Sequence, residues 1–411
     1  MHRAVSRRRR WSFLRSGHKP LETLHTVLKR GCSTWDRQHV PEQEFRARLS
    51  RIRQGMKEHG ADLLLVYGDS WRFGHLAFVS HFIPKNRGVL AVVPLEGEPA
   101  LIVQEPGRNN PFSKTLTWFD EVRSVGQFAP GLGDALKARG LKPKRVGLVA
   151  VEEQLPMREW ERVVQVLEGA EFCALSDLLT SLRLVKSASE QALLLHTVKI
   201  LEQSLALFRK EARAGQKEYE IAALAEREAR RQGVEDFRFL IARASEPQVG
   251  LRPAGPAPLD RGEALLVTVA ASYQRYWAEL GRTFCLGSPP AELVKSHNLA
   301  KNIFHQLVES VKIGASAAAA GEWLKEIPSA PARESLQAYG LGNGLGLDLS
   351  EAPLLGQDGA VKIQPGVALT LRVCLAGEKC GHGLIAQPFL ATENGLQSLA
   401  QPAEELIVIE S

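Results

Sequence analysis

Long apolar runs are missing from this chain. No stretch approaches the roughly 18 apolar residues that mark a membrane-spanning helix, so none is expected. Cysteine is scarce: Cys32, Cys173, Cys285, Cys374 and Cys380 are five, odd in number and scattered. That excludes a disulfide framework and fits reduced thiols in a cytoplasmic protein. A basic body is also missing, despite a formal net charge of +6. Residues 1–40 hold ten Lys/Arg against Glu22 and Asp36, a net of +8, so the remainder carries −2. The globular body is therefore not expected to bind nucleic acid, and the basic excess belongs to an appendage. Apolar content of 44% and charged content of 24% are those of an ordinary globular protein, and 411 residues suggest two or three domains.

The segment 1–40 contains Arg7-Arg8-Arg9-Arg10 and little apolar periodicity. It reads as a disordered extension. An Arg-rich, acid-poor targeting peptide and a basic arm for anionic partners are the alternatives. From residue 41 to 58, Phe45, Leu49, Ile52 and Met56 recur at helical spacing. Short apolar runs follow at 61–67, 88–94, 99–103 and 146–151, with helical patterns near 131–139 and 157–167. Alternating strands and helices predict a first α/β domain over 41–183. A boundary falls at Leu182-Arg183-Leu184-Val185-Lys186-Ser187, where Ser187 and Glu190 form a capping-box pattern opening a long helix to about Arg213. A second helix is expected over 217–232 and strands at 237–242, 264–271 and 276–285. Helices follow at 291–311 and from the Ala-rich stretch 315–320, then strands at 367–375, 384–391 and 406–409.

The most informative stretch is Gly340 to Pro353, Gly-Leu-Gly-Asn-Gly-Leu-Gly-Leu-Asp-Leu-Ser-Glu-Ala-Pro. It resembles the phrase G-H-G-I-G-L-D-V-H-E-x-P of the pita-bread metallohydrolases, the family of creatinase, prolidase and aminopeptidase P. Asn343 and Ser350 stand where that phrase has its two histidines. The boundary phrase, completed by Glu190, is similar to the family's L-R-x-x-K-S-x-x-E. The resemblance covers about residues 42–410. It implies an α/β (α+β) protein: a ribonuclease-H-like creatinase N-terminal domain over 41–183, then a pita-bread domain over 184–411, in a homodimer.

The family binds two divalent cations through two Asp, one His and two Glu, because such ions take oxygen and imidazole ligands and activate a bridging water. By resemblance, those five positions fall here on Thr268, Glu279, Asn343, Arg372 and Ala386. Thr268 lies in Gly262–Ala270, read against G-D-x-x-x-x-D-x-G. Glu279 follows eleven residues on, in Ala278-Glu279-Leu280-Gly281-Arg282-Thr283. Arg372 ends Pro365-Gly366-Val367-Ala368-Leu369-Thr370-Leu371-Arg372, read against P-G-M-x-x-x-x-E, and Ala386 sits at the family's offset before Thr392-Glu393-Asn394-Gly395. A guanidinium about 4 Å from a divalent ion repels it by roughly 8 kcal/mol at an effective dielectric near 20. No dinuclear metal site and no cofactor are expected. The metal-free creatinase chemistry does not carry over either: the position of its catalytic His reaches Leu251, beside Arg252, and no His occurs between His196 and His297.

The cleft implied by the resemblance is left with Glu279, Arg282, Asn343, Glu351, Arg372, Cys374 and His382. Arg372 either binds an anion bidentately or pairs with Glu279. Cys374, Cys380 and His382 read as two core thiols and a loop histidine, with a Cys374–His382 nucleophile and base as the sharper alternative. Glu279, Arg372, His382 and Cys374 are the catalytic candidates. Arg372, Asn343, Arg282 and Arg72, the last in Gly68-Asp69-Ser70-Trp71-Arg72, are the ligand-binding candidates. Two functions follow. One is a non-catalytic binding or regulatory protein holding a small anionic ligand or a peptide. The other is a metal-independent enzyme with a rebuilt site, acting on a small amide, an amidine-type bond or another anionic metabolite.

Overall fold

Helix α1 (Glu42–Glu58) buries Phe45, Leu49, Ile52 and Met56 on the face their spacing gives them. The computed structural model describes residues 34–85, 87–402 and 405–410. After α1 come β1 (Leu63–Gly68), α2 (Gly74–Ser80), β2 (Val89–Pro94), β3 (Ala100–Gln104), α3 (Asn110–Ser113), β4 (Glu121–Val125) and α4 (Phe128–Ala138). The first unit ends with β5 (Arg145–Val149), α5 (Val151–Gln154), α6 (Met157–Val166), β6 (Glu171–Ala174) and α7 (Ser176–Leu184). Its strands form one mixed sheet in the order β4-β3-β2-β1-β5-β6. Leu64, Val66, Ala91 and Val93 join the cluster of α1 and α2, while Leu63, Leu65, Leu90 and Val92 join that of α4 and α6. Helices cover both faces, which is why β1 and β2 read as unbroken apolar runs.

The extension expected over 1–40 needs correction at its end. Trp35 and Val40 are buried in the core of the first unit. Trp35 Nε1 donates to the Val40 carbonyl at 2.7 Å, and Trp35 N donates to the Thr115 carbonyl at 3.0 Å. Two apolar residues are too few to register as a period, so the segment passed for tail. Residues 1–33, with Cys32 and the arginine run, lie outside the described residues.

The second unit opens with α8 (Ala188–Glu211), whose capping box is formed: Ser187 N donates to Glu190 and Glu190 N donates to Ser187 Oγ. Then come α9 (Glu218–Arg231), β7 (Asp236–Arg243), β8 (Arg252–Pro253), β9 (Ala264–Tyr273), β10 (Tyr276–Leu286), α10 (Ala291–Ser310), α11 (Ala319–Leu324) and α12 (Ala330–Tyr339). Strands β11 (Gly342–Gly344), β12 (Glu351–Leu354), β13 (Ala368–Gly377), β14 (Gly381–Thr392), β15 (Gly395–Ser398) and β16 (Ile407–Ile409) finish it. The sheet runs β12-β11-β13-β14-β10-β9-β7-β8, with β15 on β14 and β16 on β10. Leu265, Val267, Val269, Leu280 and Phe284 pack on α8 and α9. Leu369, Leu371, Val373, Ile385 and Phe389 pack on α10 to α12. Two helix layers thus cover one face of a curved sheet, and alternate residues are left for the concave face.

The β9–β10 turn locks the units together. Gln274 and Arg275 have φ of 45° and 73°, a left-handed conformation that costs a non-glycine residue roughly 1 kcal/mol. Arg275 offsets this with a fully buried side chain that donates to Glu235 Oε1 at 2.7 Å and to the His81 and Leu116 carbonyls at 2.8 and 3.2 Å. Beside it, Arg48 of α1 donates to Tyr276 Oη at 2.9 Å, and that hydroxyl donates to Glu190 Oε1 at 3.0 Å. Burial, with Glu190 adding to it, drives the Tyr276 phenol well above its ordinary range, so the hydroxyl keeps its proton. Removing one partner of a buried pair costs about 3–5 kcal/mol, so Arg275→Met is expected to lower stability by that amount in urea unfolding. Arg46→Met, which removes an exposed arginine paired with Glu42 and Glu98, is expected to cost about 1 kcal/mol or less; equal losses would contradict the clamp.

Candidate functional site

Strand alternation decides which side chains reach the concave face. On β9 and β10 the even-numbered Ala278, Leu280 and Phe284 face the helices, as do Leu265 and Val267. Thr268, Glu279 and Gly281 therefore face the other way. On β13 and β14, Leu371 and Val373 and Ile385 face the helices, leaving Thr370, Arg372, Cys374, Leu384 and Ala386 on the concave side. The register aligns them in a row: Thr268 is opposite Gly281, Gly281 opposite Ala386, and Ala386 opposite Arg372. Asn343 on β11 is opposite Thr370. Three strand spacings separate Thr268 from Arg372, about 14 Å.

Gly281 and Ala386 leave the middle of that row nearly without side chain. Arg372 uses the space, reaching past β14 so that Nη2 donates to Glu279 Oε2 on β10 at 2.5 Å. Its Nη1 donates to the Tyr339 carbonyl at 3.3 Å. The pair is largely enclosed, with side-chain exposures of 17% for Arg372 and 8% for Glu279. The Thr268 and Thr370 hydroxyls are buried without a hydrogen-bond partner. Among the described residues, no group of three or more His, Cys, Asp or Glu is placed to hold a metal ion.

The remaining expected residues distribute as follows. Asn343 donates its amide to the Gly344 and Leu349 carbonyls at 2.8 and 3.0 Å, so it braces the Gly344–Leu349 loop. Arg282 is not in the cleft. Three residues beyond Glu279, it points to the helix side and donates to the Gly281 and Ala386 carbonyls, both at 2.8 Å, and to Gln387 Oε1 at 3.3 Å. Burial lowers its pKa to about 10 against the pull of Glu202, and it stays cationic at neutral pH. Cys374 is fully buried in an apolar cluster with Leu266 and Leu384, and burial raises its thiol far above the usual range. His382 Nε2 has no hydrogen-bond partner, and burial lowers the imidazole. The nucleophile-and-base pairing is therefore not formed. Arg72 is exposed in a turn where Asp69 accepts from the Trp71 and Arg72 amides. Cys173, Cys285, Cys374 and Cys380 are free thiols.

Glu351 belongs to a charge cluster where the two units meet. It accepts from Lys186 Nζ at 2.6 Å and from Arg183, which also donates to Asp348 at 2.7 Å. Arg183 Nη1 lies 3.2 Å from His75 Nδ1 on α2. An added Cβ at Gly74 would meet Asp348 Oδ2 at 1.9 Å, so only glycine fits there. Arg183 and Lys186 were visible in the boundary phrase but read only as punctuation; their partners lie 165 or more residues away.

With this geometry in view, comparison with known proteins places the chain. Metallopeptidase family M24 matches residues 192–393 and the Creatinase/Prolidase N-terminal domain matches residues 48–185. The chain is similar to the Xaa-Pro dipeptidase of Pyrococcus furiosus, 27% identical over 274 residues, 64% of this chain and 76% of that one. It is likewise similar to the Xaa-Pro dipeptidase of Pyrococcus horikoshii, 26% identical over 269 residues, 63% and 74% of the two chains. The crystal structure of the prolidase from Pyrococcus horikoshii superposes with a TM-score of 0.75 at 22% identity, covering 88% of this chain and 100% of that one. The protein is a member of the creatinase, prolidase and aminopeptidase P family, with a creatinase-like N-terminal domain and a pita-bread domain.

Burial alone would raise the Glu351 carboxyl, but Arg183 and Lys186 outweigh it and hold its pKa at about 2 against an ordinary 4.5. A folded-state pKa below the unfolded one contributes stability above the unfolded value, which is lost as pH falls. The stability difference between the wild type and Glu351→Gln is expected to be full above pH 5 and to shrink between about pH 4.5 and 2 in urea titrations. A difference that stays constant across that window would contradict the cluster.

Proposed function

We propose that this chain is a pita-bread protein that works without a pair of divalent cations, as a non-catalytic binding or regulatory protein and a homodimer. The observation that carries this reading is the ion pair between Arg372 and Glu279. Two cations need several carboxylates and an imidazole. The five positions supply a hydroxyl, a carboxylate bonded to a guanidinium, an amide turned to backbone carbonyls, that guanidinium, and a methyl group. These residues do not fit a dinuclear centre.

Of the two ligand classes, a peptide suits the cleft better than a small anion. The Arg372 Nη2 and Nη1 groups are engaged by Glu279 and the Tyr339 carbonyl, so an anion must compete with an existing carboxylate. The rebuilt-enzyme reading is favoured less, because Cys374 is apolar-buried and protonated and His382 bonds to no nucleophile.

The deciding experiment is metal analysis joined to a peptidase assay. Purified protein incubated with Mn²⁺, Co²⁺ or Zn²⁺ and desalted is expected to retain well under one equivalent. It is also expected to leave Xaa-Pro dipeptides uncleaved. Two retained equivalents, or metal-dependent cleavage, would overturn the reading. Light scattering of the same sample reports the dimer; a monomer at micromolar concentration would contradict that part.

A further inference from the structure

A cavity lies in the first unit, between β2, β3 and the turns flanking α3, apart from the cleft just described. Its volume is about 330 Å³, at the small end of the range typical of ligand pockets. Phe82, Val103 and Leu116 line it and are buried in the core, so that part of its wall is apolar. Lys85, Arg87 and Arg108 also line it, the two arginines being exposed and therefore at its mouth. Lys85 Nζ sits 4.2 Å from the centre of the Phe112 ring, itself part of the lining.

The fourth charged group is different in kind. Glu105 is bonded through Oε2 to Ser113 Oγ and through Oε1 to Ser124 Oγ, both at 2.8 Å. Burial raises its carboxyl, the two hydroxyls only partly opposing this, and no lysine or arginine contributes. A half-buried carboxylate held by two hydroxyls, in a space whose cations lie at the rim, keeps lone pairs for a further donor. A partly apolar wall, a cationic rim and an inner acceptor define one kind of guest.

We propose that this cavity binds a small organic anion with an apolar body and an N–H group. The anionic end meets Arg87 and Arg108, the body packs on Phe82, Val103 and Leu116, and the N–H donates to Glu105. The site belongs to the N-terminal domain, so it stands or falls independently of metal or peptide in the pita-bread cleft.

N-acetyl-L-phenylalanine carries all three features at a fitting size and is the probe. Isothermal titration of the full chain is expected to give saturable 1:1 binding, with a Kd between about 10 µM and 1 mM. The Arg87→Glu variant reverses an exposed charge at the rim and is expected to weaken it about fivefold with an unchanged melting temperature. Uncharged N-acetyl-L-phenylalanine amide, which lacks the anion, and 3-phenylpropionate, which lacks the N–H, are both expected to bind more weakly. Val103→Phe, which fills the cavity, is expected to abolish binding; should it fail to fold, the rim variant still decides. No saturable binding at about 5 mM, affinity unchanged by the rim reversal, or equal affinity for all three compounds would overturn the proposal.

Discussion

The contact between Arg372 and Glu279 sets what the concave face can do. Both groups are mostly withdrawn from water, and each alone would be an uncompensated charge in a low-dielectric cleft. Together they neutralise one another, and the Tyr339 carbonyl accepts a further hydrogen bond from the guanidinium. The contact exists because of the sheet around it. Residues on β10 and β13 meet only if β14 between them carries a small side chain, and Ala386 supplies that at the position opposite both Gly281 and Arg372. The same arrangement makes the pair formally neutral, which is the premise of the proposal that the cleft works without a pair of cations.

Holding strands in that register falls to buried charge elsewhere. Arg275 with the His81 and Leu116 carbonyls, Arg48 with Tyr276 and Glu190, and Arg183 and Lys186 with Asp348 and Glu351 all tie the pita-bread sheet to the first unit or to the segment leading out of it. Such contacts gain little over a well-packed apolar contact, but each fails expensively if one partner is lost. They act as positional locks. The left-handed Gln274 and Arg275 turn persists only because its side chains are gripped by the neighbouring unit. Two chemistries are thereby separated in one molecule: a neutral, ion-paired cleft on the concave sheet, and a small cation-rimmed, partly apolar cavity in the first unit.

Much of the fold was legible in the sequence. The periodic face of α1, the apolar runs of β1 and β2 and the Ser187–Glu190 cap are local signals with local causes. The order of motif phrases made the family readable although four of the five positions aligned by resemblance with its ligands carry neither a carboxylate nor an imidazole. Less legible was whatever depends on direction or distance. Arg282 was assigned to the cleft from its place in a phrase, although it lies three residues from Glu279 on one strand and alternation sends it to the helices. Polar strands such as β4, with Glu121, Arg123 and Ser124, carry no apolar period to detect. Glu351 gave no sign of its partners, and the cavity around Glu105 is built from segments that meet only after folding.

The central claim is that Glu279 and Arg372 exist as one coupled unit. A double-mutant cycle with Glu279→Gln and Arg372→Met, read by urea unfolding at neutral pH without added metal, measures that coupling directly. The account predicts that each single change destabilises, and that the double variant is more stable than the sum of the two by at least about 1 kcal/mol. Simple additivity would contradict it, for then the carboxylate and the guanidinium would not depend on each other and some other partner would be neutralising them.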